Sequence, residues 1–309
     1  MIIVFGPSYP VPSNLMGAVT MNDVLYDLMI ELHNRGFDVK AVAPLNSKLD
    51  VEVIGVPLTL GIDANLFNVV CNNNDVVIGY FSQYNRYGGN CVAYDIVTDN
   101  INIGYTGVNP RKIIVPTNKL LIKFKSRLEK PIIHIDYALN EERVRVPQVK
   151  TNDVVIPITE STSLQHVISW VNDISKELTV DVLMIPYSYN SFKQYSMLSH
   201  AFRGNANVRI VTTHLVGRDV EVFRLSRLGG YTLFIDNGTP TVPVYESLIN
   251  GGTVIGANVD GLSSFATSFG LVASKPSDVI NIVKSGKRHE PYTVSFKSFV
   301  DNVVKALQL

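Results

Sequence analysis

Cysteine is almost absent from this chain. Its 309 residues include only 2, Cys71 and Cys91. Two thiols make no disulfide framework and cannot alone hold a structural zinc, so a reduced, cytoplasmic setting is the simpler reading. A surplus of charge is missing as well, with 27 Lys and Arg against 27 Asp and Glu. Generic nucleic-acid binding is thereby disfavoured, because neutralising a run of phosphates takes a cationic excess. Charged residues make up only 17% of the chain, unlike the Lys/Glu-rich composition of hyperthermophile proteins. No apolar run approaches the ~18 residues of a spanning helix. The opening run, Met1 to Phe5, is broken by Gly6 and Pro7, short of an export signal. No spacing of His, Asp and Cys suggests a metal cage. The three spaced glycines of a dinucleotide fingerprint are also missing, since Gly6 and Gly17 stand too far apart, which disfavours a nicotinamide-dependent oxidoreductase.

What the chain does contain is alternation. At about 100–200 residues per domain, its length suggests two domains. Residues 2–5 read as a buried strand, and a Gly/Pro/Ser-rich loop follows to Met16. Met21, Val24, Leu25, Leu28, Met29 and Leu32 then recur at helical spacing, and Gly36 supplies the left-handed stop. Residues 37–43 return as a strand, which makes a right-handed parallel unit. Further strands are expected at 50–56, 75–79, 91–96, 112–116 and 131–135, with helices at 62–71 and 117–128. Charges and proline thicken from Glu141 to Lys150, read as a link between domains. Strands at 154–156, 181–185, 208–212, 231–236, 253–257 and 270–272 follow, with helices at 164–178, 220–228, 244–250, 277–284 and 295–309. The pattern predicts two doubly wound α/β domains, 1–145 and 146–309.

Ligands of such sheets bind outside the carboxyl ends of the strands. Gly17 would begin the first helix, where backbone N–H groups attract an anion and no Cβ blocks its approach. It reads equally as an ordinary loop glycine. The richest segment runs from Asp236 to Asn258, a loop, a short helix and a strand. Thr241 and Val242 would offer backbone donors to a phosphate. Glu246, about one turn into the helix, could accept from a ribose diol, or be an exposed or capping glutamate.

Pro243-Val244-Tyr245-Glu246, then Gly252-Thr253-Val254-Ile255-Gly256-Ala257-Asn258, resembles the sugar-nucleotide signature of retaining GT-B glycosyltransferases, especially glycosyltransferase family four. So do Pro7-Ser8-Tyr9-Pro10 with Gly17 and Asn34-Arg35-Gly36-Phe37, and the strand and turn Ile113-Ile114-Val115-Pro116-Thr117-Asn118-Lys119. The likeness covers most of the chain in order. It implies two Rossmann-like domains facing a central cleft, an acceptor-binding first half and a nucleotide-sugar-binding second half, with the last helix (about 295–309) returning to the first. It implies donor contacts at Gly17, Gly238, Thr241, Val242 and Glu246, and sugar transfer from a nucleoside diphosphate sugar with retention.

The chain departs from that pattern at three places. The family's first Glu falls at Gly238, with Asp236 nearby as a substitute catalytic carboxylate. The Arg/Lys pair that stabilises the departing diphosphate is missing from residues 157–163, leaving hydroxyls, a helix N-terminus, a divalent metal or the more distant Arg218 and Lys193 to do it. No His follows the strand at 75–79, so Asp95 becomes the candidate to orient the acceptor, or else a loop cap. His134 and His214 read as structural. The helix at 117–128 interleaves Lys119, Lys123, Lys125 and Arg127 with apolar residues. It is either a solvated face or a peripheral membrane contact. The acceptor, whether glycan, lipid-linked or protein, is open. The rival functions are a nucleotide-sugar epimerase of the same fold and a sugar-nucleotide-binding protein without turnover.

Overall fold

The computed structural model describes residues 1–5, 22–44, 49–56, 76–79, 92–96, 112–126, 129, 131–159, 162–184, 189–213, 218–238 and 241–308. The chain divides into two compact units, Met1–Asn140 with Val294–Leu309, and Glu141–Thr293.

The first unit is a parallel sheet. Its elements are β1 (Ile2–Phe5), α1 (Asn22–Asn34), β2 (Val39–Pro44), β3 (Glu52–Val56), β4 (Val76–Gly79), β5 (Val92–Ile96), β6 (Lys112–Val115), α2 (Asn118–Lys125) and β7 (Ile132–His134). The strands run in the order β3-β2-β1-β4-β5-β6-β7, every pair parallel. Helix α1 forms because Val24, Leu25, Leu28, Met29 and Leu32 fall on one stripe, and all five are fully buried. It stops where the amides of Gly36 and Phe37 turn back to His33 and Leu32. Gly36 sits at φ +87°, a conformation only glycine adopts without strain.

The C-terminal helix, Phe296–Leu307, belongs to this unit. Ser295 caps it by accepting from Ser298. Its face of Phe296, Phe299, Val300, Val303 and Leu307 is buried, which contributes on the order of 10 kcal/mol before chain entropy is subtracted. Phe299 packs on Tyr137 with ring centroids 5.6 Å apart. Lys112 donates to the carbonyl of Ala306 at 2.6 Å, a cation where the helix dipole is negative.

The second unit contains α3 (Glu141–Val144), β8 (Val154–Pro157), α4 (Leu164–Ile174), β9 (Val180–Leu183), α5 (Tyr189–Ala201), β10 (Val208–Val211), α6 (Arg218–Leu225), β11 (Tyr231–Phe234), α7 (Val242–Ile249), β12 (Thr253–Val259), β13 (Leu262–Ser263), β14 (Leu271–Ala273) and α8 (Pro276–Lys284). The parallel order is β10-β9-β8-β11-β12, with β14 parallel to β12 and β13 antiparallel to its end. Strands β8 and β9 are buried along their whole length, as strands covered on both faces must be. Asp181 in β9 is therefore paired. It holds Arg209 through two bonds of 2.8 and 2.7 Å, and these bonds push the Arg209 pKa up. Burial, then the neighbouring Arg209 charge, pushes Arg227 down.

One segment differs from the sequence reading. Helix α5 was not expected, because its polar run YNSFKQYSMLSHA has little apolar periodicity. The segment from Glu141 onward, read as the link between domains, starts the second unit and is packed into it. Val144 is fully buried, Arg143 pairs with Glu221, and Asn250 bonds both Val144 and Val146 at 3.2 Å. The expected helix at 62–71 lies outside the described residues. No helix among the described residues is long and apolar enough to cross a membrane.

Candidate functional site

In the second unit, β8 continues to β9 on one side while β11 continues to β12 on the other. The strand order thus reverses between the neighbouring parallel strands β8 and β11, the point where such sheets leave a crevice at their carboxyl ends. The loops that follow these two strands start α4 and α7.

The loops are stitched together. Thr162 and Asp236 form an antiparallel bridge, and the Ser163 amide donates to the Ile235 carbonyl at 3.2 Å. Asp236 is buried, and its Oδ1 accepts from the amides of Gly238 at 2.8 Å and Phe265 at 2.9 Å. Its Oδ2 accepts from the Ser264 hydroxyl at 2.6 Å. A carboxylate so engaged anchors the loop. Gly238 stands at φ +85°, and a Cβ there would meet the Ser263 carbonyl oxygen at 2.9 Å. Glycine is needed here twice over, for its conformation and for the close approach.

Thr241 precedes α7 in extended conformation, yet its side chain caps nothing. The reason is local. Pro243 has no N–H, and the Val244 amide turns to the Thr241 carbonyl at 3.3 Å. The Thr241 hydroxyl is left buried without a hydrogen-bond partner among the described residues, and the residue is only 8% exposed. A buried orphan of this kind calls for a ligand or an equivalent explanation. Val242 supplies a first-turn amide with no acceptor inside the helix.

Glu246 is 0% exposed and Arg224 4%. Both carboxylate oxygens are held by the Arg224 guanidinium in a two-pronged pair. The expected ribose acceptor thus has a protein partner. Nothing in the sequence pattern pointed to Arg224, which lies on the preceding helix with no motif around it.

Of the other expected residues, Gly17 and His214 lie outside the described residues, as do the side chains of Asp95 and Arg218. Asp95 has its backbone inside β5, paired with Gly79 and Ile113. Lys193 is exposed on α5. His134 stands 2.9 Å from the Asp136 carboxylate. No group of three or more His, Cys, Asp or Glu among the described residues could hold a metal. In α2, Leu120 and Phe124 are buried in the unit's own core, so the helix presents Ile122 among Lys119, Lys123 and Lys125.

No protein-family model matches the chain. No curated protein matches it in sequence. Solved structures do match. Anabaena HepE, solved with UDP and glucose, superposes with a TM-score of 0.67 at 10% identity over 99% of each chain. AviGT4, a glycosyltransferase of avilamycin A biosynthesis, gives 0.65 at 10% identity over 99% of this chain and 96% of its own. Sucrose-phosphate synthase from Thermosynechococcus elongatus gives 0.64 at 12% identity, over 99% and 94%. The fold is that of GT-B glycosyltransferases. Within this GT-B chain, Asp236, Gly238, Thr241, Val242 and Glu246 all sit around the start of α7.

Proposed function

We propose that this chain is a glycosyltransferase that takes a sugar from a nucleoside diphosphate sugar. The observation that carries the reading is the orphaned, buried Thr241 hydroxyl, placed where α7 begins at the reversal point of a GT-B sheet. A hydroxyl and first-turn amides are hydrogen-bond donors, and a diphosphate offers only acceptors. The UDP and glucose bound to HepE support a nucleotide-sugar donor of that class. Catalysis then rests on holding the donor and on stabilising the leaving diphosphate by preorganised donors. Membership of family four, retention at the sugar carbon and cytoplasmic action belong to the same proposal, as do an acceptor-binding first unit with Asp95 in it and a donor contact at Gly17. We assign Asp236 and Glu246 the task of shaping the donor loop rather than proton transfer. Membrane contact, if α2 makes it, is electrostatic, because the helix's buried apolar residues belong to the core.

Calorimetry with nucleoside diphosphates and sugar nucleotides tests this, followed by assays for transfer and hydrolysis. The reading expects binding together with one of those activities. Absence of binding to every nucleotide would overturn it.

A second reading, a sugar-nucleotide-binding protein without turnover, is favoured by one specific observation. Both carboxylates of the loop and helix are already occupied by protein groups. Binding without transfer or hydrolysis would select it.

A further inference from the structure

A second fastening closes the rim of the same sheet edge. Strands β12 and β13 form a hairpin in which Val259 faces Leu262. Its two central residues, Asp260 and Gly261, have φ of +50° and +77°, the pattern of a type I′ turn. That turn explains Gly261 and a small polar residue at 260, for which asparagine or glycine would serve. Aspartate serves there as well. The Asp260 carboxylate reaches across to His166, with Oδ2 3.0 Å from Nε2. His166 lies in the first turn of α4, directly after the loop bridged to Asp236. Ser264, at the far end of the hairpin, is bonded to Asp236 in turn. The loop after β8, the loop after β11 and the hairpin thus form a closed rim.

The oxygens of Asp236 are engaged by Gly238, Phe265 and Ser264. Asp260 faces His166. The Asp260 side chain otherwise stays 81% exposed, and beside it stand donors: the Thr241 hydroxyl and the first-turn amides of α4 and α7. The His166 side chain is 29% exposed, and its Nδ1 makes no hydrogen bond to a described residue. With Nε2 directed at a carboxylate, the imidazolium form presents an N–H at Nδ1. These donors suit a ligand that only accepts.

We infer that His166, oriented by Asp260, contacts the diphosphate of the bound nucleotide and supplies positive charge to it. The inference rests on the donor-site reading above. It adds a cationic contact at a position that no sequence motif marked.

The test is calorimetry on the full chain with uridine diphosphate, guanosine diphosphate and adenosine diphosphate. The tightest of the three is then compared with its nucleoside. His166→Gln is expected to weaken the diphosphate about tenfold, as for loss of a charge-assisted bond, while leaving the nucleoside unmoved. His166→Arg is expected to restore most of the affinity, and Asp260→Asn to lower it severalfold. Melting temperatures of all three variants should follow the wild type. Wild-type diphosphate affinity in His166→Gln overturns the inference and leaves the donor reading standing. Equal losses for diphosphate and nucleoside, with a lowered melting temperature, mark a structural role and also overturn it. Failure of the wild type to bind any of the three overturns both.

Discussion

The pair of Arg224 and Glu246 gives the sharpest quantitative test. Both side chains are essentially removed from water, and their two-pronged contact joins α6 to α7. Removing one partner strands the other charge in a low-dielectric interior, which typically costs about 3–5 kcal/mol. Domains of this size are stable by only about 5–15 kcal/mol in total. At roughly 2–4 °C per kcal/mol for 150–250 residues, Arg224→Met should lower the melting transition of the second unit by about 6–20 °C. Glu246→Leu should do the same, because it leaves the guanidinium buried. The double variant should recover most of the loss, since a buried ion pair is commonly replaceable by apolar residues of similar volume. Calorimetric or chemical denaturation of the four proteins closes the cycle. A single-variant loss below about 1 kcal/mol, within the range of an exposed pair, would refute the reasoning. So would a double variant no more stable than either single one. The same proteins address the ribose role. A Glu246→Gln variant that keeps its melting temperature but loses donor affinity would return Glu246 to the nucleotide.

Three further outcomes follow from the loop geometry. Gly238→Glu should cost at least about 1–3 kcal/mol by denaturant midpoint, as for a strained left-handed residue, because its Cβ meets the Ser263 carbonyl. It should gain no transfer activity. Asp236→Ala should lose about 2–4 kcal/mol, since the Gly238 and Phe265 amides lose their acceptor and an unsatisfied buried donor costs about 1–3 kcal/mol. A melting temperature equal to wild type would contradict that. Thr241→Val should leave stability unchanged or raise it by up to about 1 kcal/mol, because the hydroxyl has no partner to lose. It should weaken nucleotide binding measured by calorimetry, and undiminished binding would count against Thr241 as a ligand group.

Periodicity carried much of the fold. The stripe on α1 and the apolar runs of β6, β8 and β11 announce themselves because burial acts on residues a fixed interval apart. The weakly periodic α5 escaped, since its run YNSFKQYSMLSHA repeats few apolar residues at helical spacing. After Asn140 the sequence showed a thickening of charge but no partners, and Arg143 finds Glu221 on a helix far along the chain. At the site, Thr241, Val242 and Glu246 were legible as types at a spacing. Their surroundings were not. No local pattern could say that Arg224 would hold Glu246, that the backbone amides around Asp236 would take up its carboxylate, or that Asp260 would reach His166.

The sequence by itself determined the alternation of strands and helices, the stop at Gly36 and the lack of a cysteine framework. Those follow from interactions between residues a few positions apart. Only the tertiary structure decided which polar groups are already partnered. A carboxylate paired with a guanidinium and one open to a ligand have the same sequence, and the difference lies in contacts between helices and loops distant along the chain.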